Sequence, residues 1–273
     1  MNSADHIVPS TKWSQIAFWT TVAVLVLSSV ILVLNPSLLE ILAWEDGPVE
    51  YSGFIFLALT GFILARAGYR ATRLPGYHRL KGMVLLFAGL GFLLAAGEEI
   101  SWGQRLIGFE TPEPLAKVNE QQEFNLHNME KGLVDHSVRY GIALFAVAGL
   151  IFHATQSRRF LGFRTPDLYL VHAFLLLGVY QNFQAIDKPF YISAIALLFS
   201  LLYLYTKGHR RSAAIPAVAI LLGCLLTFLN WSFQASLGIN TPPEIREALF
   251  PMICSAYALW LASDPEDQLP QES

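Results

Sequence analysis

Two adjacent carboxylates, Glu98 and Glu99, close an apolar run from Met83 to Ala96 that ends in Gly97, and Ser101, Trp102, Gln104 and Arg105 follow them. Paired carboxylates at the end of an apolar segment suit acid–base chemistry, because a like charge and partial desolvation together raise one of the two pKa values. Glu50, at the start of another apolar segment, supplies a second carboxylate, and Arg105 is a clamp for a carboxylate or an anionic substrate group. If the helix continues through Trp102, Glu98 and Arg105 share a face while Glu99 points about 100° away. Glu98 or Glu99 then acts as general base or ligand.

A second set of reactive types lies in "AKVNEQQEFNLHNMEKGLVDHS", from Ala116 to Ser137. Glu120, Glu123 and His127 fall on one face of a short helix, and Asp135 and His136 follow. Carboxylates and an imidazole presented by one rigid element are what a zinc-type centre needs. Glu99, Glu123 and His127 are therefore the candidate ligands of a divalent metal such as zinc, with His127 alternatively an acid. His172, five residues after Asp167, reads as a core histidine bonded to a neighbouring helix. His153 and His209 sit at the opposite boundary, and neither they nor His6 and His78 are given a role.

The elements that must carry these residues are membrane helices. Of the 273 residues 54% are hydrophobic and only 14% charged, against about a quarter charged in soluble domains. Apolar stretches recur at 14–34, 50–67, 82–100, 136–155, 167–186, 190–206, 213–234 and 246–262. They predict an all-α, polytopic membrane protein of about eight transmembrane helices. One helical domain covers 1–262, with a long extracytoplasmic loop at 101–135 and a disordered polar tail at 263–273. The first apolar run lacks a cleavage site and reads as a retained helix. "LLEILAWEDGPVE", from Leu38 to Glu50, reads as an interfacial segment. Cys224 and Cys254 lie inside apolar runs and imply no disulfide.

Charge placement gives the orientation. Twelve of the 18 Lys and Arg residues fall in one set of loops, which places that side and both termini in the cytoplasm. Fifteen of the 21 acidic residues fall on the other side, and topology does not require that asymmetry. Glu98 lies seventeen residues above Lys81, and Glu50 sixteen above Arg66. At 1.5 Å per residue both carboxylates stand roughly 25 Å from the basic boundary, slightly inside a core about 30 Å thick. Ionisable groups at that depth face a protein interior or a water-filled cavity. Gln181, Asn182, Gln184, Asp187, Asn230, Gln234 and Arg139 bring polar groups to the same level on other helices.

The blocks "EDGPVEY" (45–51), "GEEISWGQR" (97–105) and "NLHN" (125–128) together resemble a family of uncharacterised bacterial inner-membrane proteins. The resemblance spans about the first half of the chain and implies an inner-membrane, multi-pass protein, with no activity attached. The E-E-x-x-x-R motif of CAAX-type intramembrane proteases is not met, because Arg105 follows the glutamates after five residues and the family's histidine motifs are absent. The histidine pair of alkaline-ceramidase-like hydrolases and the rhomboid G-x-S-G are absent too. The residues point first to acid–base or metal-assisted hydrolysis or transfer on a lipid or lipid-linked substrate. A proton- or cation-coupled transporter and a non-enzymatic scaffold are the alternatives. The expected partners are the bilayer and such a lipid, with no nucleic acid.

Overall fold

Where water is scarce, a backbone can satisfy its own polar groups only by closing them into helices. The computed structural model describes residues 10–44, 47–117, 124–125, 131–180, 188–237 and 242–264, and helix dominates it. In chain order the helices are α1 (Lys12–Leu34), α2 (Pro36–Ala43), α3 (Pro48–Ala71), α4 (Tyr77–Glu99), the single turns α5 (Gln104–Ile107) and α6 (Glu113–Ala116), α7 (Lys131–Ala154), α8 (Leu168–Val179), α9 (Lys188–Thr206), α10 (Arg210–Leu237) and α11 (Pro242–Ala262). A hairpin of two-residue strands, β1 (Arg159–Phe160) and β2 (Phe163–Arg164), joins α7 to α8. Among the described residues, seven stretches are long and apolar enough to cross a membrane: α1, α2–α3, α4, α7, α9, α10 and α11. That is the composition of a multi-pass membrane protein.

The expected fifth span, 167–186, departs from the pattern. Helix α8 has 12 residues, and Tyr180 leaves the helix with φ −77° and ψ 99°. It is therefore about 18 Å long, well short of the hydrocarbon thickness. Every residue of α8 except Tyr169 is buried, and α1, α7, α9, α10 and α11 surround it. This is the core of the molecule, and it explains why α8 is apolar on all sides. Its ends are satisfied locally. The Asp167 carboxylate accepts from the Leu170 N–H and from the Thr11 N–H, each at 3.1 Å, and from the Ser14 hydroxyl. At the other end Thr227 donates to the Val179 carbonyl at 2.7 Å. Burial pushes the Asp167 carboxyl above the usual carboxylate range, and its three hydrogen bonds pull the other way. His172 donates to or accepts from the Ser200 hydroxyl of α9 at 2.8 Å, the interhelical bond expected of it.

Helices α3 and α4 form an antiparallel pair whose backbones nearly touch. A Cβ on Gly68 would lie 2.4 Å from the Leu86 nitrogen, one on Gly82 2.5 Å from the Thr72 nitrogen, and one on Gly89 2.4 Å from the Ala65 nitrogen. Gly61 closes the next level against Leu93 and the Gly89 carbonyl. Small residues at seven-residue spacing on both helices allow this approach, the usual basis of helix association in lipid. Helix α11 packs along the other side of α3, where Thr60 and Ser255 share a 2.7 Å hydrogen bond and Ser255 donates to the Phe56 carbonyl.

One end of the bundle is tied by basic residues. Asp264 is fully buried, paired with Lys81 at 2.9 Å, and gripped by both terminal nitrogens of Arg159 at 2.6 and 2.7 Å. Ser263 and Asp264, read as the start of a polar tail, thus belong to the folded body. A buried Lys and a partly buried Arg give the carboxylate a reason to be there that apolar periodicity does not encode.

Candidate functional site

The seam of α3, α4 and α11 ends in charged groups. Its levels descend from Gly68 through Gly61 to Gly53, and opposite Gly53 stands Glu99. A Cβ at Gly53 would lie 3.0 Å from the Glu99 Oε1, 3.6 Å from the Ala248 Cα and 3.8 Å from the Glu247 carbonyl. Gly53 therefore leaves the space that the Glu99 carboxylate occupies between three helices. Glu50 sits one turn earlier on α3, in its first turn. Of the two carboxylates matched for depth in the sequence, Glu50 lies on the helix that carries this seam, while Glu98 turns to Trp102 and its neighbour Glu99 enters the seam instead.

Helix α11 contributes more than packing. Pro251 stands inside it, so the Glu247 carbonyl four residues earlier lacks its usual intrahelical donor. This carbonyl faces the Gly53–Glu99 level. Arg246, 3% exposed, lies beside it, and its charge reaches the Tyr180 hydroxyl. Tyr180, 1% exposed, has Asn230 of α10 and Ser28 of α1 beside its hydroxyl. Arg139 of α7 is also buried. Glu50, Glu99, Arg139, Arg246 and Glu247 all engage partners. Glu99, the Glu247 carbonyl, Arg246 and Tyr180 thus form a polar group at the level where α8 stops.

The block after Glu99 does not extend the helix. Ile100 caps α4, and Ser101 (φ 47°), Trp102 (φ 56°) and Gly103 (φ 74°) follow in left-handed conformations. Left-handed backbone costs roughly 1–2 kcal/mol per non-glycine residue, so specific contacts must hold it. The Trp102 ring folds back over Gly97, where a Cβ would meet ring carbons at 2.8 to 3.1 Å, and its Nε1 donates to the Glu98 Oε1 at 2.7 Å. Asn125, buried, donates to the buried Ser101 hydroxyl at 2.9 Å. Gln104 accepts from the Phe124 N–H at 2.6 Å and donates to Thr111 at 2.7 Å. The shared face expected for Glu98 and Arg105 is thereby overturned: three left-handed residues intervene, and Trp102 takes the place beside Glu98.

Glu98 and Glu99 consequently have different surroundings, one under an indole and one inside the seam. Arg105 belongs to α5, but its side chain lies outside the described residues, as do Glu120, Glu123 and His127. The helix expected to carry those last three is outside them as well. The loop read as 101–135 is shortened by α7, which begins at Lys131. His136 is exposed on α7. Among the described residues no three His, Cys, Asp or Glu side chains converge as a metal-binding group.

Arg246, Tyr180 and Ser28 were not foreseen as parts of this group. Arg246 reads as one more charge at a helix end, and only Pro251 five residues on hints at an irregular α11. Comparison with known protein families, with curated proteins and with solved structures finds no match to this chain.

Proposed function

We propose that the protein is a bacterial inner-membrane enzyme, its termini cytoplasmic, that performs acid–base hydrolysis or transfer on a lipid or lipid-linked substrate at the extracytoplasmic ends of its helices. The observation that carries the proposal is the Glu99 carboxylate seated against Gly53 in the α3–α4–α11 seam, next to the Glu247 carbonyl and within the same polar group as buried Arg246. A half-buried carboxylate held between three helices is positioned to act as a general acid or base. The buried guanidinium groups of Arg246 and Arg139 suit the phosphate of a lipid headgroup or polyprenyl carrier. Glu98, held by Trp102, orients the turn, and Glu50 is the second carboxylate. Arg105, His127 and a divalent metal on Glu99, Glu123 and His127 are further elements of the proposal, and metal analysis of the purified protein addresses the last.

The test is complementation of a deletion strain followed by quantitative lipid profiling. The wild-type gene restores the profile, whereas Glu99→Gln and Arg246→Gln leave it at the deletion level despite normal membrane abundance. Full restoration by both variants refutes the proposal. A second reading, proton- or cation-coupled transport, is favoured by one feature: α8 stops part-way through the bundle at Tyr180, as broken helices do around transporter sites. Flux into proteoliposomes driven by a pH gradient, absent in Glu99→Gln, would select it.

A further inference from the structure

A cavity of about 190 Å³ lies at the basic end of the bundle, far from Glu99, between α7 and α9 and over the start of α8. Its floor is apolar, made by Leu150, Leu168 and Leu204, while Lys207 and His209 lie at its aqueous rim. Phe199 forms a wall and is 58% exposed on the outer side of α9. The cavity is thus bounded by groups that meet water at one edge and lipid at the other. It exceeds the roughly 150 Å³ that holds a benzene-sized guest, and falls short of the ~300 Å³ at which drug-sized ligands begin.

We infer that this cavity binds the head and first methylenes of an anionic single-chain amphiphile drawn from the bilayer, a carboxylate or phosphate monoester with its charge at Lys207 and His209. Three observations converge on that class. Lys207 is exposed and His209 half-buried, both at the rim and not the floor, so the charged part of the guest stays at the water edge. The floor offers Leu and no buried cation, so what enters deeper is hydrocarbon. The nearest acid, Asp167, is fully buried and occupied by Thr11, Ser14 and Leu170, so it neither faces the guest nor competes for Lys207. His153 on the wall already bonds the Pro166 carbonyl at 2.9 Å, and Ser200 bonds His172, so the inner polar groups are committed to the protein. The volume excludes the two chains of a diacyl phospholipid.

Full-length protein reconstituted in neutral phosphatidylcholine nanodiscs is photolabelled with a diazirine fatty acid, and the sites are mapped by peptide mass spectrometry. The acid labels segments 150–156 and 199–209, and its methyl ester does so about tenfold less, the factor expected from losing a charge-assisted contact. Lys207→Gln with His209→Gln gives a similar loss, and Ala154→Trp, which narrows the mouth without touching the rim charges, abolishes the label. Thermal melts confirm that the variants are folded. Equal labelling by acid and ester overturns the inference, as does labelling spread evenly over lipid-facing α4. Displacement of the acid by millimolar inorganic phosphate also overturns it, since the site would then take a free anion.

Discussion

Replacing Gly68 by Ala tests whether the α3–α4 contact positions the Glu99 carboxylate. The added Cβ would stand 2.4 Å from the Leu86 nitrogen and 2.7 Å from the Gly82 carbonyl oxygen. Both obstacles are backbone, so no rotamer change can relieve them, and the helices must separate by about 1 Å to reach ordinary contact distance. Overpacking of that kind costs about 1–3 kcal/mol and lies toward the upper end when backbone must move. Alanine's better helix propensity returns up to about 1 kcal/mol. The net loss is about 2 kcal/mol, or roughly 4–8 °C in melting temperature for a domain of this size. Gly91 is the control, since a Cβ there meets nothing within 4 Å; Gly91→Ala leaves the melt unchanged or raises it slightly. Differential scanning fluorimetry of detergent-purified protein reads both. Because Gly53 lies on the same seam, Gly68→Ala also displaces Glu99 and lowers lipid conversion, whereas Gly91→Ala does not. Equal melting temperatures for the two variants would refute the close-packed seam.

Asp264→Ala removes the carboxylate paired with buried Lys81 and gripped by Arg159, and destabilises by about 3–5 kcal/mol, which the same fluorimetry detects as a large drop in melting temperature. Asp167→Asn replaces an acceptor with a donor opposite the Thr11 N–H and Ser14 hydroxyl, so it costs about 1–3 kcal/mol despite near-identical shape; amide exchange should rise at the start of α1. Gly97→Ala drives the Trp102 ring off α4 and shifts tryptophan emission to the red. That shift disappears when Trp102→Phe is added, and its persistence would contradict the stacking.

Seven of the eight expected spans were legible because apolar run length is a one-dimensional quantity, whereas 167–186 was not, since a short helix buried on all sides is as apolar as a span. The register of α3 on α4 was not, since glycines at 61, 68, 82 and 89 look like ordinary membrane-helix glycines until a second helix is laid against them. The turn at Ser101 and Trp102 was misread for a related reason. Nothing in "EEISWGQR" forbids helix locally; its left-handed backbone depends on Gly97 beneath the indole and on Asn125, twenty-four residues later. Asp264 escaped notice because its partners, Lys81 and Arg159, are distant in sequence.

The brevity of α8 has a consequence for biogenesis. A segment of 12 helical residues is too short to span a bilayer alone, so its place is set by the helices packed around it. Its ends are capped through Thr11 and Ser14 at the start of α1, made before it, and through Thr227 of α10, made after it. The buried centre therefore waits for helices made after it, and truncations that remove α10 or α11 should leave α8 unseated even though its own sequence is intact.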